Sequence, residues 1–195
     1  MEKNIDFFKI DKNETPSAGK VLISEPYSYD KFFDRTVVVL AEHNEKGSVG
    51  FVLNKPTKLI IDDIIDGFPS FRSLVSIGGP VAPNTLHYIH TLGNILPESV
   101  EISDGLYWGG DYEHLKFLIE SKIIRTDQIR FFIGYSGWAA NQLQRELKEN
   151  NWLVGNIEKE VILKNINEDI WRKMLKETGE KYSLWADFPQ DPSMN

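Results

Sequence analysis

The sequence predicts one globular domain that mixes strands and helices, and three observations carry the prediction. The chain has 195 residues, 41% of them hydrophobic, enough for a single sizeable core and little more. Its apolar runs are short, the longest being Val37 to Ala41, far below the ~20 residues of a membrane-spanning helix. Those runs alternate between β-branched stretches and segments of helical periodicity, with Gly, Pro and Asn punctuation between them.

The elements follow in order. Lys20 to Ser24 reads as a short strand after a mixed N-terminal extension, residues 1–18, in which Ile5, Phe7, Phe8 and Ile10 could pack. Thr36 to Glu42 is β-branched and almost wholly apolar, which predicts a strand buried on both faces. The turn chemistry of Asn44 to Gly47 joins it to a second strand, Val49 to Asn54, through a loop expected to exceed two residues. Pro56 stops that strand because it has no N–H for the ladder. Ile60, Ile61, Ile64, Ile65 and Phe68, with Asp62, Asp63 and Asp66 between them, predict a short amphipathic helix.

Val75 to Ile77, Leu86 to Thr91 and Val100 to Ile102 read as strands. Asp111 is placed to cap a helix whose buried stripe is Leu115, Leu118 and Ile119. Ile129 to Tyr135 is a strong strand, and Ser136-Gly137 reads as a turn into a helix running from about Trp138 to Glu149. Trp152 to Val154 and Glu160 to Leu163 are short strand candidates. Asn167 to Thr178 is the last expected helix, before a tail, residues 187–195, expected to be mobile.

Composition excludes several classes of function. No cysteine is present, so disulfides, thiol catalysis and thiolate metal sites are out. The net charge of −7 is spread over both halves, with 10 basic and 12 acidic residues in 1–97 and 12 and 17 in 98–195. That balance disfavours a surface built to neutralise phosphates, although Arg125, Arg130, Arg145 and Lys148 could form a local basic patch. The first twenty residues lack a signal-peptide apolar run, and the expected location is cytoplasmic, with no membrane contact.

The chemical candidates are few. Gly134-Tyr135-Ser136-Gly137-Trp138 resembles a nucleophile elbow, but Trp stands where the second Gly belongs. All four histidines (His43, His87, His90, His114) precede Ser136, the reverse of the order in α/β-hydrolases. His87 and His90 would project to opposite faces of a strand and could not share a metal ion. Asp62, Asp63 and Asp66 lack calcium-loop spacing. Neither a P-loop nor G-x-G-x-x-G occurs. No cofactor and no metal is expected.

Four segments carry a family resemblance: EPYSYDKFFDRTVVVLAEHNEKGSVGFVLNKPT (25–57), GGPV (78–81), the strand ending Leu-x-x-Ile-His (86–90), and GYSGWAANQLQRELKENNWL (134–153). In order and rough spacing they resemble the bacterial AlgH/YqgE family over about residues 19–179. Pro26, Arg35, Glu42, His43, Asn54, His90, Trp138, Gln142, Glu146 and Trp152 are among the matching positions. Two places depart from it: Asn84-Thr85 stands where the family often has Arg-Gly, and Asn141 and Gln144 where it often has Gly and Glu. The resemblance implies a single α+β domain whose branched mixed sheet folds into a pseudo-barrel with flanking helices. It implies no assigned activity, and some members are labelled transcriptional regulators.

Together these readings describe a non-enzymatic regulatory or binding protein that engages a protein partner or a small ligand. The expected lining residues are Glu42, His43, Asn54, His90, Trp138 and Gln142, with Tyr135 and Lys55 behind them; polar and aromatic groups at strand ends and turns are where scaffolds place function. Two alternatives stand beside this one: a DNA- or RNA-binding regulator, and a hydrolase-like enzyme using His43 or His90 as base.

Overall fold

The structure, a computed structural model, describes residues 14–28, 30–164 and 169–189. Its centre is β2 (Val37–Asn44), whose alternating side chains enter two cores. Val37, Val39 and Ala41 join one apolar cluster, while Val38 and Leu40 join another on the opposite face. The run buried on both faces is therefore the middle of a sheet covered on both sides. β1 (Val21–Ser24) and β3 (Gly47–Val52) pair antiparallel on its two edges.

The sheet order is β10 (Trp152–Gly155), β1, β2, β3, β9 (Ile129–Ala139), β6 (Val81–His90), β8 (Leu106–Trp108), β7 (Val100–Ser103). It branches at β9. One edge of that strand takes β6; the other takes β3 at its C-terminal half and β5 (Leu74–Ile77) in parallel at its N-terminal half, with β4 (Pro56–Ile60) outside β5. The branched, mixed α+β arrangement is present, but the sheet does not close into a barrel. It curls until a Cβ added to Gly19 would lie 2.7 Å from the Cβ of Ser103, yet β7 and β10 each have one ladder partner among the described residues.

Helices α4 (Lys159–Leu163), α5 (Ile170–Thr178) and α6 (Glu180–Ala186) contribute to the face of Val39 and Phe51. Helix α3 (Gln142–Lys148) covers the face of Leu22 and Leu40. Helix α2 (Tyr112–Glu120) packs at the β5–β6–β9 end, buries Leu115, Leu118 and Ile119 as expected, and is capped by Asp111, which accepts the His114 N–H at 2.7 Å. Helix α1 (Ile61–Ile64) is one turn. None of the described helices is long and apolar enough to cross a membrane.

Several local expectations are overturned. The hairpin loop is two residues, Glu45 and Lys46, because Asn44 pairs with Gly47. The helix expected over Ile60 to Phe68 stops after Ile64: Asp62 accepts the Phe71 N–H at 3.1 Å and ties the returning chain to the first turn. Ser136-Gly137 is no turn, since β3 pairs with Ser136 to Ala139 and holds them extended. The turn comes at Asn141 (φ 62°), and α3 starts at Gln142 rather than Trp138. Glu160 to Leu163 is helical, not a strand.

The strands β4 and β8 and the helix α6 were not anticipated. Asn167 lies outside the described residues; Asp169 caps α5, accepting the Arg172 N–H at 3.2 Å. Of the expected tail, Phe188 stacks on Tyr27 at 5.9 Å, and its carbonyl accepts from Arg35 at 2.7 Å. Residues 190–195, like residues 1–13 of the N-terminal extension, lie outside the described residues.

Candidate functional site

The Glu42 strand end and the Ser136-to-Gln142 segment meet. The pairing of β3 with β9 sets Ser48 opposite Trp138 and Val49 opposite Gly137. Along this junction runs an open groove of about 460 Å³, lined by Glu42, Asn44, Lys46, Val49, Val81 and Tyr135 together with the backbone of Gly47 and Gly137.

A register shift between Leu40 and Glu42 decides which side chains reach it. The bulge places Glu42 opposite Val49, on the groove face, and His43 opposite Ser48, on the other. The hairpin tip is held by Asn44, whose side-chain oxygen accepts the Lys46 N–H at 2.8 Å and whose amide donates to Glu42. Gly47 is required here. Its φ is +145°, and an added Cβ would sit 2.3 Å from the Trp138 carbonyl oxygen. A carboxylate, an amide, an ammonium and a phenol thus surround one apolar strip.

The other face is closed. Trp138 and Trp152 both donate their indole N–H to one Glu146 carboxylate oxygen at 2.8 Å, and Gln142 donates to the other at 2.9 Å. Gln142 also accepts the Ala139 N–H at 3.0 Å, which fastens the end of β9 to the first turn of α3. His43 Nδ1 lies 2.7 Å from the Ser48 hydroxyl in the same cross-strand row. Trp138 itself is buried, edge-on to Trp152.

Asn54 and His90 lie away from both places. Asn54 accepts the Val37 N–H at 3.0 Å and donates to the Arg35 carbonyl at 2.7 Å, bracing the entry to β2. His90 is fully buried. Its Nδ1 accepts the Leu92 N–H at 3.0 Å, so Nε2 carries the proton and donates to the Gly109 carbonyl at 2.7 Å. Burial holds its pKa below the usual histidine value, against the raising effect of the Gly109 bond. With both nitrogens engaged by main chain, this ring fixes a corner of β6.

The remaining titratable candidates sort similarly. His87 faces Phe51, Trp108 and Tyr135, on the side opposite His90, and burial lowers its pKa too. Lys55 sits over the Phe32 ring at 4.4 Å; burial lowers its pKa, and Asp34 and Asp30 oppose the shift. Ser136 is buried and donates to the Gly78 carbonyl at 3.1 Å. Arg130 belongs to no surface patch. It is buried and donates to the carbonyls of Ile162 (2.8 Å) and Leu53 (2.5 Å) and to the Ser76 hydroxyl (3.0 Å), with desolvation drawing its pKa down to about 9. It remains a cation at neutral pH and ties three separate strand and helix ends together.

Of the six expected lining residues, the structure therefore brings Glu42 to the groove. Trp138 also lines the groove, while its indole N–H bonds to Glu146 on the face that Gln142 and His43 occupy. Asn54 and His90 stand apart. Sequence reasoning passed over Asn44, Lys46 and Val81 in the groove and Glu146 behind it. The Gln142–Glu146 spacing of four on a helix was the available signal for the last.

The comparisons agree with this architecture. Residues 21–183 match the family model DUF179, described as AlgH-like. A UPF0301 protein of Bacteroides thetaiotaomicron is 44% identical over 199 residues, covering 100% of both chains. One from Cytophaga hutchinsonii is 43% identical over 91% of this chain and 98% of its own. Among solved structures, the AlgH protein of Pseudomonas aeruginosa superposes with a TM-score of 0.71 at 26% identity, covering 92% of this chain and 98% of that one. A Corynebacterium diphtheriae protein gives the same TM-score at 20% identity, over 92% and 95%, a likeness of fold alone. The chain belongs to the AlgH-like DUF179/UPF0301 family, whose function is uncharacterised.

Proposed function

We propose that this protein is a binding or regulatory protein that engages a protein partner or small ligand in the hairpin groove, without catalytic chemistry of its own. The observation that carries this reading is the convergence of the Glu42 strand end and the end of β9 on one open groove. The rim groups Glu42, Asn44 and Lys46 are exposed while the floor is aromatic and aliphatic. That combination orients a ligand by polar contacts around an apolar strip. Nucleic acid is disfavoured as the occupant because acid and base are balanced on the rim and the chain carries −7.

A photoreactive residue at Lys46 in the native host tests the reading. The expected result is a discrete covalent adduct, detected by mass, that disappears when Val81→Asp is added. An adduct indifferent to Val81→Asp, or none, overturns it. Val81 is partly solvent-exposed, so the second substitution leaves the fold intact.

One observation favours a second reading: the 2.7 Å His43–Ser48 contact is a base beside a hydroxyl. Ser48 is 5% exposed, which favours a cross-strand pin over a nucleophile. Labelling by a fluorophosphonate that is lost in Ser48→Ala would establish the enzyme; no labelling removes it.

A further inference from the structure

One wall of the hairpin groove is held in a strained shape, and the side chain that holds it is a histidine. β6 and β9 change register between Val81 and Leu86. Val81 faces Tyr135 and Leu86 faces Ile133, so the four residues Ala82 to Thr85 bulge out opposite Gly134 alone. Within the bulge Ala82 takes a φ of 45°, a left-handed conformation that glycine adopts freely and a residue with a Cβ does not. The bulge has no room to relax inward: a Cβ on Gly134 would lie 2.9 Å from the Val81 carbonyl oxygen and 3.4 Å from Cα of Pro83.

Val81, at the near end of the bulge, reaches the groove, as does Tyr135 opposite it. A Cβ on Gly137 would lie 3.1 Å from Tyr135 Cε2 and 3.8 Å from Val81 Cγ2. Both side chains therefore lean over the same bare stretch of backbone, Val81 as the lip of the groove and Tyr135 as its floor.

His87 is tied to both. Thr85 donates its one hydroxyl hydrogen to the Ala82 carbonyl at 2.8 Å, so in the 3.0 Å contact with His87 Nε2 the ring is the donor. That chain of two hydrogen bonds pins the strained residue next to Val81. The same ring stands edge-on to Tyr135 at 5.6 Å. Among the elements packed against it, β3 presents Phe51, β8 presents Trp108 and β9 presents Tyr135, whose phenol is the titratable group of the set. Burial, and no neighbouring charge, holds the ring's pKa below the usual histidine value. Since Nε2 already carries a hydrogen, acid adds its proton at Nδ1 and leaves a cation against three aromatic rings, short of water. Solvation then draws the ring outward, off Tyr135 and off Thr85 together.

We infer that His87 is an acid-released latch on the hairpin groove: neutral, it fixes the lip at Val81 and the floor at Tyr135, and protonated, it frees both. It is a positioning residue that acts through Thr85 and Tyr135, and its consequence for binding rests on the groove's being the binding site. The neutral ring persists below the ordinary histidine range, so the latch is closed at neutral pH and opens as pH falls below about 6.5.

NMR of the full chain reads the latch without any ligand. The His87 imidazole signals and the amides of Val81, Ala82 and Gly137 should titrate together as pH falls from about 7.5 to about 5, with one midpoint below about 6.5. In His87→Gln, whose side-chain amide keeps a donor for Thr85 but takes up no proton, the three amides should stay at their neutral-pH positions throughout. Amides that ignore the His87 midpoint overturn the inference, and so do amides that still titrate in His87→Gln, by assigning the change to another group. The adduct at position 46 reads the consequence for binding. Its yield should fall about tenfold over the same range in the native chain and stay level in His87→Gln; an equal fall in both overturns the latch. No adduct at any pH removes the binding reading instead, and the amide titration still decides the latch.

Discussion

Two regions of this molecule, back to back on the same strands, use similar residue types in opposite ways. Behind β9, the Trp138, Gln142 and Trp152 donors all end on Glu146. In front of it, Glu42, Asn44 and Lys46 stand around a groove exposed to solvent. The closed region spends its polar groups on one another and fastens α3 and β10 to the sheet. In the open one Asn44 bonds to Glu42 and to the Lys46 N–H within the hairpin tip, and all three side chains stay exposed to solvent. Polar and aromatic residues in one motif are thus not one site: burial separates those that hold the fold from those that solvent or a ligand can reach.

The contrast is broken most directly at Glu146. Glu146→Ala removes the acceptor of two indoles and an amide, and leaving such donors buried and unpaired costs about 3 kcal/mol in all. Urea denaturation should show that loss at an unchanged m-value; a loss under about 1 kcal/mol would mean that the clamp is ornamental.

Next in size is a dependence on pH. The folded-state pKa values of His90 and His87 are lowered by burial, so the unfolded chain binds protons first as pH falls. Their contribution is complete above about pH 6.5 and is lost as pH falls through the folded values, at no more than about 1.4 kcal/mol per pH unit for each ring. Denaturation midpoints between pH 7.5 and 5 should fall accordingly, and His87→Phe, which keeps a ring among Phe51, Trp108 and Tyr135, should flatten part of the slope. A slope that survives His87→Phe in full assigns the dependence to other groups.

The smallest effect sharpens the contrast from the other side. Glu42→Ala and Lys46→Ala should each change stability by less than about 0.5 kcal/mol, as exposed positions do. Val81→Asp should likewise leave the denaturation midpoint near the native value while removing the groove adduct. A loss of several kcal/mol at Glu42 or Lys46 would move the groove into the same class as the Glu146 face.

Much of the fold was legible. The Val37 to Ala41 run announced a strand covered on both faces, and Asp111 announced the start of α2, because each depends on neighbours in sequence. The four residues Ser136 to Ala139 were misread for the reverse reason. Ser-Gly has the chemistry of a turn, but β3, some ninety residues earlier, holds it extended. The same holds for the site. Glu42 was legible as a strand-end residue facing away from His43, whereas the bulge that decides which of the two takes the groove face exists only in the ladder.

By itself the sequence determined that thiol chemistry is out, because it holds no cysteine, and that no P-loop motif is present. It determined as well where the apolar alternation places strands and which family the motifs resemble. Only the tertiary structure decided which polar groups are already occupied. Asn54 finds Val37 and Arg35, His90 finds Gly109, and Ser136 finds Gly78. These partners lie 17 to 58 residues away, and a hydrogen bond is set by distance in space. A side chain becomes available for binding when the fold leaves it at the surface, and that is a property of the packed sheet rather than of any segment.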